Sequence, residues 1–534
     1  MSERYDAIVI GGGHNGLVNG AYLAKRGLKT LILERRHVVG GAAITEELYP
    51  GFQFTTFSYA LSLIRPDIVQ DLELVKHGLF ILNMPTTLAP MDNGDYLFLG
   101  ADHAANYHEM ARHSKADAEA YDDYKTMLTK VCQAVKPLFD EIPPNLFSDE
   151  PEEVARLARV GRHLGGVDKK TLHMLTRFLT GSAAEILDDY FESDIIKGTL
   201  ASSGIIGSNV GPRSQGSGLV LLFHKMGEMD GVFGEWGFHK GGNGGFTQVL
   251  ARAAQAFGAE IRLNAGVGQV IVKNGEAVGV ALENGDEIYA NTVVSSLDPR
   301  RTFLQMVEPR ELPTDLVDAI QNYKFQGVSS KVNFALDGLP TYPALAGQNP
   351  FRGFINVAPS MDYIERAYDD AKYGEISQRP YIDGCVQSTL DPDMSPPGKH
   401  VMSCFVQYCP YELKGSDWDS ERETLGDRVQ SALESYFPGF NELVLHREVV
   451  TPLDIERTVG LSEGNIFAGA FLAPQMYFFR PAPGWNQYRT PVKGYYQCGS
   501  GTHPGGCVIG GPGKLAAEQI WEDVLGGDEW VVEG

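Results

Sequence analysis

An α/β fold is what this sequence predicts, with a strand–turn–helix core built from the two ends of the chain and an inserted α+β region between them. Three observations predict it. The turn Gly11-Gly-Gly-His-Asn-Gly16 lies between an apolar strand pattern, Tyr5 to Ile10, and a helix pattern, Leu17 to Arg26. A second strand pattern, Lys29 to Leu33, closes on Glu34, about 20 residues beyond the turn. A second glycine-rich turn between Gly494 and Cys507 precedes a helix pattern from Gly513 to Val524.

The first glycine of such a turn makes the tight bend, the second lets backbone approach a pyrophosphate, and the third lets the helix pack on the strand. Gly11, Gly13 and Gly16 hold these places, Gly20 follows them, and Gly27 ends the helix. The helix N-terminus then faces the phosphates, which makes this a Rossmann-type site for a dinucleotide. Glu34 is placed to take the ribose hydroxyls. A 2′-phosphate beside it would meet repulsion of about 4 kcal/mol at ~4 Å and an effective dielectric of ~20, so NADP is disfavoured, although Arg35 and Arg36 soften that argument. His14 and Asn15 sit within the phosphate turn, His14 in a positional role. Gly40 and Gly41, before Ala42, either form a plain loop or let backbone pass close to the rest of a long cofactor.

Mid-chain, Lys240-Gly-Gly-Asn-Gly-Gly245 opens a helix through Ala256. Strands follow near Glu260 to Leu263, Val267 to Lys273, Ala277 to Glu283 and Glu287 to Ser295, with turns at Asn274-Gly275 and Asn284-Gly285. The Lys240 loop is the one other candidate dinucleotide turn. No clear strand leads into it and no acidic residue answers it, so no dedicated NAD(P)H domain is expected. Two insertions, roughly 76–234 and 304–462, separate these parts. The first is helix-rich, with an acidic first turn at Pro151-Glu-Glu and a core stripe of Ile186, Leu187, Tyr190 and Phe191. The second carries apolar strands near Lys331 to Leu336 and Val401 to Tyr408. The predicted domains are therefore a discontinuous cofactor domain, 1–75, 235–303 and 463–534, and a second domain, 76–234 and 304–462.

The stretch Ile8-Val-Ile-Gly-Gly-Gly-His-Asn-Gly-Leu17, then Leu33-Glu-Arg-Arg, Gly40-Gly41 and the tail Gly499-Ser-Gly-Thr-His-Pro-Gly505 resemble the phytoene desaturase family of flavoproteins, which includes carotenoid desaturases and isomerases and retinol saturase. Thr45-Glu-Glu, Asp71-Leu-Glu-Leu, Gly464-Asn-Ile-Phe467 and Arg480-Pro481 extend the likeness over nearly the whole chain. The resemblance implies FAD, an amine-oxidase-like two-domain fold, and redox chemistry on an apolar substrate held where the domains meet. It also implies that backbone around Val270 meets the adenine. The two glycine turns would grip one extended ligand. Gly499, Ser500, His503, Gly506, Cys507 and Val508 then belong to the cofactor site, and the N-terminus of the last helix would favour negative charge on the flavin ring.

Flavin chemistry asks the protein to position the donor carbon, exclude water and tune charge, so no side chain announces itself as a catalyst. His503 is the first candidate, since its turn should face the ring and a histidine exchanges protons near neutral pH; fixing loop geometry is the competing role. Tyr59 and Arg65 follow the first glycine segments and either border the pocket or serve packing and a surface salt bridge. Arg480 lies among aromatics in Gln475-Met-Tyr-Phe-Phe-Arg-Pro481, where it can stack and still donate to a flavin or substrate oxygen, or stack at the surface. The aromatics, with Trp485 and Tyr488, form either a cavity wall or a small core under a long loop.

Composition sets the limits. The 534 residues, 43% hydrophobic and 21% charged, suit a globular protein of two or three domains. A net charge of −23 excludes nucleic acid as a partner, and with an even charge distribution it speaks against a basic membrane-docking face, leaving only a transient contact through a small apolar entrance. Oligomeric state is left open. Cys132, Cys385, Cys404, Cys409, Cys498 and Cys507 are too scattered for a disulfide framework. Cys404 and Cys409 have the spacing of a redox pair but an odd offset on a strand, which points them to opposite faces. No His/Cys cluster has zinc spacing, so no metal is expected. A first strand at Tyr5 and no long apolar run point to the cytoplasm. The predicted activity is FAD-dependent hydride transfer to or from a carbon–carbon bond of an apolar, isoprenoid-like substrate. A flavin amine oxidase, a redox-neutral isomerase and a non-catalytic flavoprotein subunit are the alternatives.

Overall fold

In the computed structural model, which describes residues 4–229 and 232–525, two seven-stranded sheets dominate. The first runs Glu260–Arg262, Thr30–Leu33, Arg4–Ile10, Glu287–Ser295, Glu276–Leu282, Val267–Lys273, with Tyr495–Gln497 pairing beside Glu287–Ser295. Its central pairs are parallel, Ile8 opposite Leu31 on one side and opposite Val293 on the other. Parallel strands are covered on both faces, and the alternation is visible residue by residue. Ala7, Val9, Ile32 and Val294 face the helices His14–Lys25, Gly242–Ala256 and Gly511–Leu525. Ile8, Ile10, Leu31 and Val293 face the opposite cluster.

That opposite cluster also contains Phe303, Leu316 and Ile320, from the helices Pro299–Leu304 and Thr314–Gln321. These helices bury their apolar faces on the cofactor sheet, so the chain stays packed against it beyond 304.

The second sheet runs Val444–Val450, Ser330–Leu336, His400–Gln407, Tyr381–Cys385, Phe354–Val357, Thr87–Pro90, Tyr96–Leu99. One parallel pair, Phe354 opposite Thr87, joins strands from both insertions into this sheet. Helices from His103–His113 to Ser217–His224 pack around Val131, Phe178, Ile186, Leu187 and Phe223, so the predicted stripe at 186–191 is core.

The glycine loop at 240 does not make a second dinucleotide turn. A short strand, Gly237–His239, does lead into it, but pairs with Ile81–Asn83 outside the main sheet. Gly241, at φ +84°, caps the helix that follows.

Charge is also less even than composition implies. Residues 151–180 carry six Lys and Arg against three Asp and Glu, and Phe147, Val154, Leu157, Leu172 and Leu179 are exposed beside them. No helix among the described residues is long and apolar enough to cross a membrane. Cys404 and Cys409 are free and buried. Burial pushes the Cys409 thiol up to about 12 and that of Cys404 higher still, which removes the thiolate that a redox pair needs.

Candidate active site

The strand Arg4–Ile10 ends at Gly11, whose φ of +97° makes the turn. The helix starts at His14, three residues before the expected Leu17, so Gly16 lies inside its first turn. A Cβ added to Gly16 would lie 2.1 Å from the Gly11 carbonyl oxygen, whereas one added to Gly13 would meet nothing within 4 Å. Gly16 is needed for packing and Gly13 for open space. That space is a cavity of about 340 Å³ bordered by Gly11, Gly13, Asn15, Gly40, Gly41 and Glu34, with Arg35 and Arg36 alongside. Glu34 is buried; one carboxylate oxygen accepts from Gly12 N at 2.9 Å and the other from Arg36 N at 2.8 Å. Each oxygen keeps a lone pair for a ribose hydroxyl.

The two ends of the chain are clamped together at this point. Asn15 Nδ2 donates to Ser500 Oγ at 3.1 Å and Asn19 Nδ2 to Gly513 O at 3.0 Å, and the His14 ring bonds to Cys507 backbone. Ser500 borders the large cavity. Cys507 and Val508 border a second chamber, of about 120 Å³. The two spaces share His14, Ala42, Leu461 and Ile466, so one elongated ligand can run from the first glycine turn to the second.

Several expected contacts lie elsewhere. Val270 is buried and gives its N–H to Met306 O at 2.8 Å; Gly266, Val267 and Gly268 border the cavity instead, where a register shift between Val267 and Gln269 turns the strand. Gly499 and Gly506 serve close packing, since an added Cβ would lie 2.4 Å from Leu297 O or from Phe467 Cα. The last helix begins at Gly511 and contributes no residue to the border of either space.

His503 borders neither space. It is buried with hydrogen bonds to backbone at Leu138 and Phe139, its ring is 5.1 Å from that of Tyr477, and burial drags its pKa down to about 3. It fixes the turn. Arg480 is fully buried; Nη2 donates to Phe467 O at 2.8 Å and to Ser500 O at 2.9 Å, and Nη1 to Gln475 O at 3.2 Å. It is a positioning residue for the second turn, not a donor to substrate. Of the aromatics around it, Tyr477, Phe478 and Phe479 are half-buried and Trp485 and Tyr488 pack into opposite faces of the cofactor domain; none borders either space. Arg65 is buried and pairs with the half-buried Asp140.

Tyr59 does border the second chamber, with Phe57, Trp236, Phe405, Ile206 and Ile455. Lys331 is its one cation, and among the described residues no carboxylate lines it. Burial pulls the Lys331 ammonium down to about 8. His224 Nδ1–H donates to Val220 O at 2.9 Å, and burial holds His14 and His224 at about 4, so both rings are neutral at pH 7. Sequence reading missed Lys331, Phe405 and Trp236, which carry no motif. It also missed Ser296 and Arg301 in the large cavity, although they follow the carboxyl end of the strand Glu287–Ser295, where open α/β sheets bind ligands.

The family model of flavin-containing amine oxidoreductases matches residues 16–520. The chain belongs to this family. A rat protein called pyridine nucleotide-disulfide oxidoreductase domain-containing protein 2 is 40% identical over 98% of this chain and 94% of its own length. A limonene dehydrogenase subunit of Castellaniella defragrans is 27% identical over 100% of this chain and 97% of its own. Among solved structures, an oxidoreductase from Methanosarcina mazei shares the fold at a TM-score of 0.59 and 17% identity, covering 97% of this chain and 100% of that one.

The cofactor of this flavoprotein oxidoreductase is FAD, and the geometry suits it. The space beside Gly13 admits a pyrophosphate, the free lone pairs of Glu34 suit a ribose, and the buried ring nitrogen Nε2 of His14 and amide oxygen Oδ1 of Asn15 have no partner within the protein.

Proposed function

We propose that this oxidoreductase moves a hydride to or from a carbon–carbon bond of an apolar, isoprenoid-like molecule. The observation that carries the reading is the chamber at the end of the cofactor cavity, walled by Phe57, Tyr59, Trp236, Phe405 and Ile455 and free of carboxylates among the described residues. Gly11, Gly13, Glu34, Arg35 and Ser500 hold FAD, which supplies the hydride acceptor and donor when bound. The aromatic walls exclude water and orient a flat, apolar carbon skeleton beside the junction at His14 and Ala42. The relative named as part of a limonene dehydrogenase supports an isoprenoid hydrocarbon, since limonene is one.

The amine-oxidase alternative fits less well. A protonated amine entering beside the Lys331 ammonium would meet repulsion of about 4 kcal/mol at ~4 Å and an effective dielectric of ~20, and among the described residues no carboxylate lines the chamber to receive it directly. The reading takes the cytoplasm as its compartment, supported by six cysteines that form no disulfide.

The test is anaerobic incubation of FAD-loaded protein with cyclic and acyclic isoprenoid hydrocarbons and, separately, with primary amines and diamines. Bleaching of the flavin by a hydrocarbon that loses two hydrogens is expected. Bleaching by amines alone would overturn the proposal.

A further inference from the structure

Beneath the chamber, three neighbouring strands of the second sheet place Lys331, Phe405 and Asp383 in one row: Lys331 is paired with Phe405, and Phe405 with Asp383. Directly paired residues on adjacent strands share a face, so these three form a continuous strip of floor. Tyr59 lies over the strip. Its ring stacks on Phe405 with centroids 6.0 Å apart and planes 26° apart, the Lys331 ammonium sits 4.5 Å from its centroid, and its hydroxyl donates to Asp383 Oδ2 at 2.7 Å. Tyr59, Phe405 and Lys331 border the chamber, and Asp383 is covered by them. The other carboxylate oxygen, Oδ1, is buried, and the Asn356 side chain faces the carboxyl. A buried carboxylate costs stability unless it is paired or hydrogen-bonded, and groups perturbed in this way cluster at functional sites.

We infer that Tyr59 and Asp383 form a proton relay for the substrate, Tyr59 touching the reacting carbon's proton and Asp383 holding it. The inference rests on the hydride chemistry proposed above. In the oxidising direction one C–H bond breaks and its hydrogen leaves with the electron pair for oxidised FAD, which is thereby reduced. The adjacent C–H bond breaks the other way, its electrons becoming the new π bond and its proton passing to Tyr59 Oη as Tyr59 gives its own proton to the Asp383 carboxylate. Saturation is the reverse, with Asp383 protonated at the start. The groups facing Asp383 are Tyr59, the Asn356 amide, Tyr381, Lys331, Lys225, Cys385 and Cys404. Burial outweighs the two lysines and raises the Asp383 carboxyl to about 7, where both protonation states are populated. The neutral histidines on the chamber wall, held at about 4, are weaker bases.

Two measurements on FAD-loaded protein test this, one of them free of any substrate. Infrared difference spectra across pH 5 to 9, recorded in a Glu518→Gln background because burial raises the Glu518 carboxyl to about 7 as well, should show a buried carboxyl band that disappears around neutrality, is lost in Asp383→Asn, and moves to higher pH in Lys331→Met, because a nearby cation is lost. A band that persists in Asp383→Asn, or no transition at all, overturns the relay. With a hydrocarbon that bleaches the wild-type flavin, the anaerobic reduction rate should rise with pH as Asp383 ionises. That rate should fall about 100-fold or more in Asp383→Asn and in Tyr59→Phe, with substrate affinity little changed. Wild-type rates and pH profile in both variants would overturn the relay while leaving the hydride reading intact. If no apolar compound reduces the wild-type flavin, the functional reading fails and the relay with it.

Discussion

At Gly13 a side chain would point into open cavity, and the backbone there, φ −69° and ψ 170°, is one that valine adopts without strain. Gly13→Val should therefore fold normally and lose FAD affinity by roughly 30-fold or more, the equivalent of about 2 kcal/mol of overpacking. Fluorescence titration of apoprotein with FAD measures it, and unchanged affinity would show that the pyrophosphate lies elsewhere. Glycines at the first turn and Glu34 were legible in the sequence because their roles are set by neighbours within one strand–turn–helix unit. His503 and Arg480 were legible as important but not as to what they do. Their partners, backbone at Leu138 and Phe139 for one and at Phe467 and Ser500 for the other, depend on which way two loops point after packing. Burial then reverses the chemistry expected of a histidine.

Three histidines lie along elements that meet at the cavities, half-buried His14 on the first helix, buried His224 ending the helix Ser217–His224, and buried His503 in the last turn. Burial depresses all three, to about 4, 4 and 3, below the ordinary value near 6.5. A depressed folded-state pKa gives stability that is present above pH 6.5 and lost as pH falls toward 4. Each histidine should remove on the order of 2 kcal/mol between pH 6.5 and 5. Asp383 and Glu518, both raised to about 7 by burial, act in the opposite sense. The informative comparison is thus with His503→Gln, whose urea-unfolding stability with saturating FAD should fall less steeply with acid than that of the unaltered protein; equal slopes would contradict the assignment. At this scale the regular strands were readable from alternation, as Ile8 and Val9 on opposite faces demonstrate. The short strands Ile81–Asn83 and Gly237–His239 were not, because three residues carry too little pattern and each exists only through the other.

Across the whole molecule, the cofactor cavity draws on both ends of the chain, while the chamber draws on segments around Tyr59, Ile206, Trp236, Lys331, Phe405 and Ile455. The first set carries glycine spacing and was found. The second has no motif, since an apolar wall needs only aromatic and aliphatic side chains brought together by two sheets, and those residue types are everywhere in a core. The central claim is that the chamber adjoins the flavin and takes an apolar ligand. Its most direct test is titration of FAD-loaded protein with an unreactive isoprenoid hydrocarbon while the flavin absorption spectrum is followed, alongside Phe405→Arg. A saturable spectral shift in the unaltered protein, lost in the variant, is predicted; a spectrum that stays fixed while dialysis shows the hydrocarbon bound would contradict it.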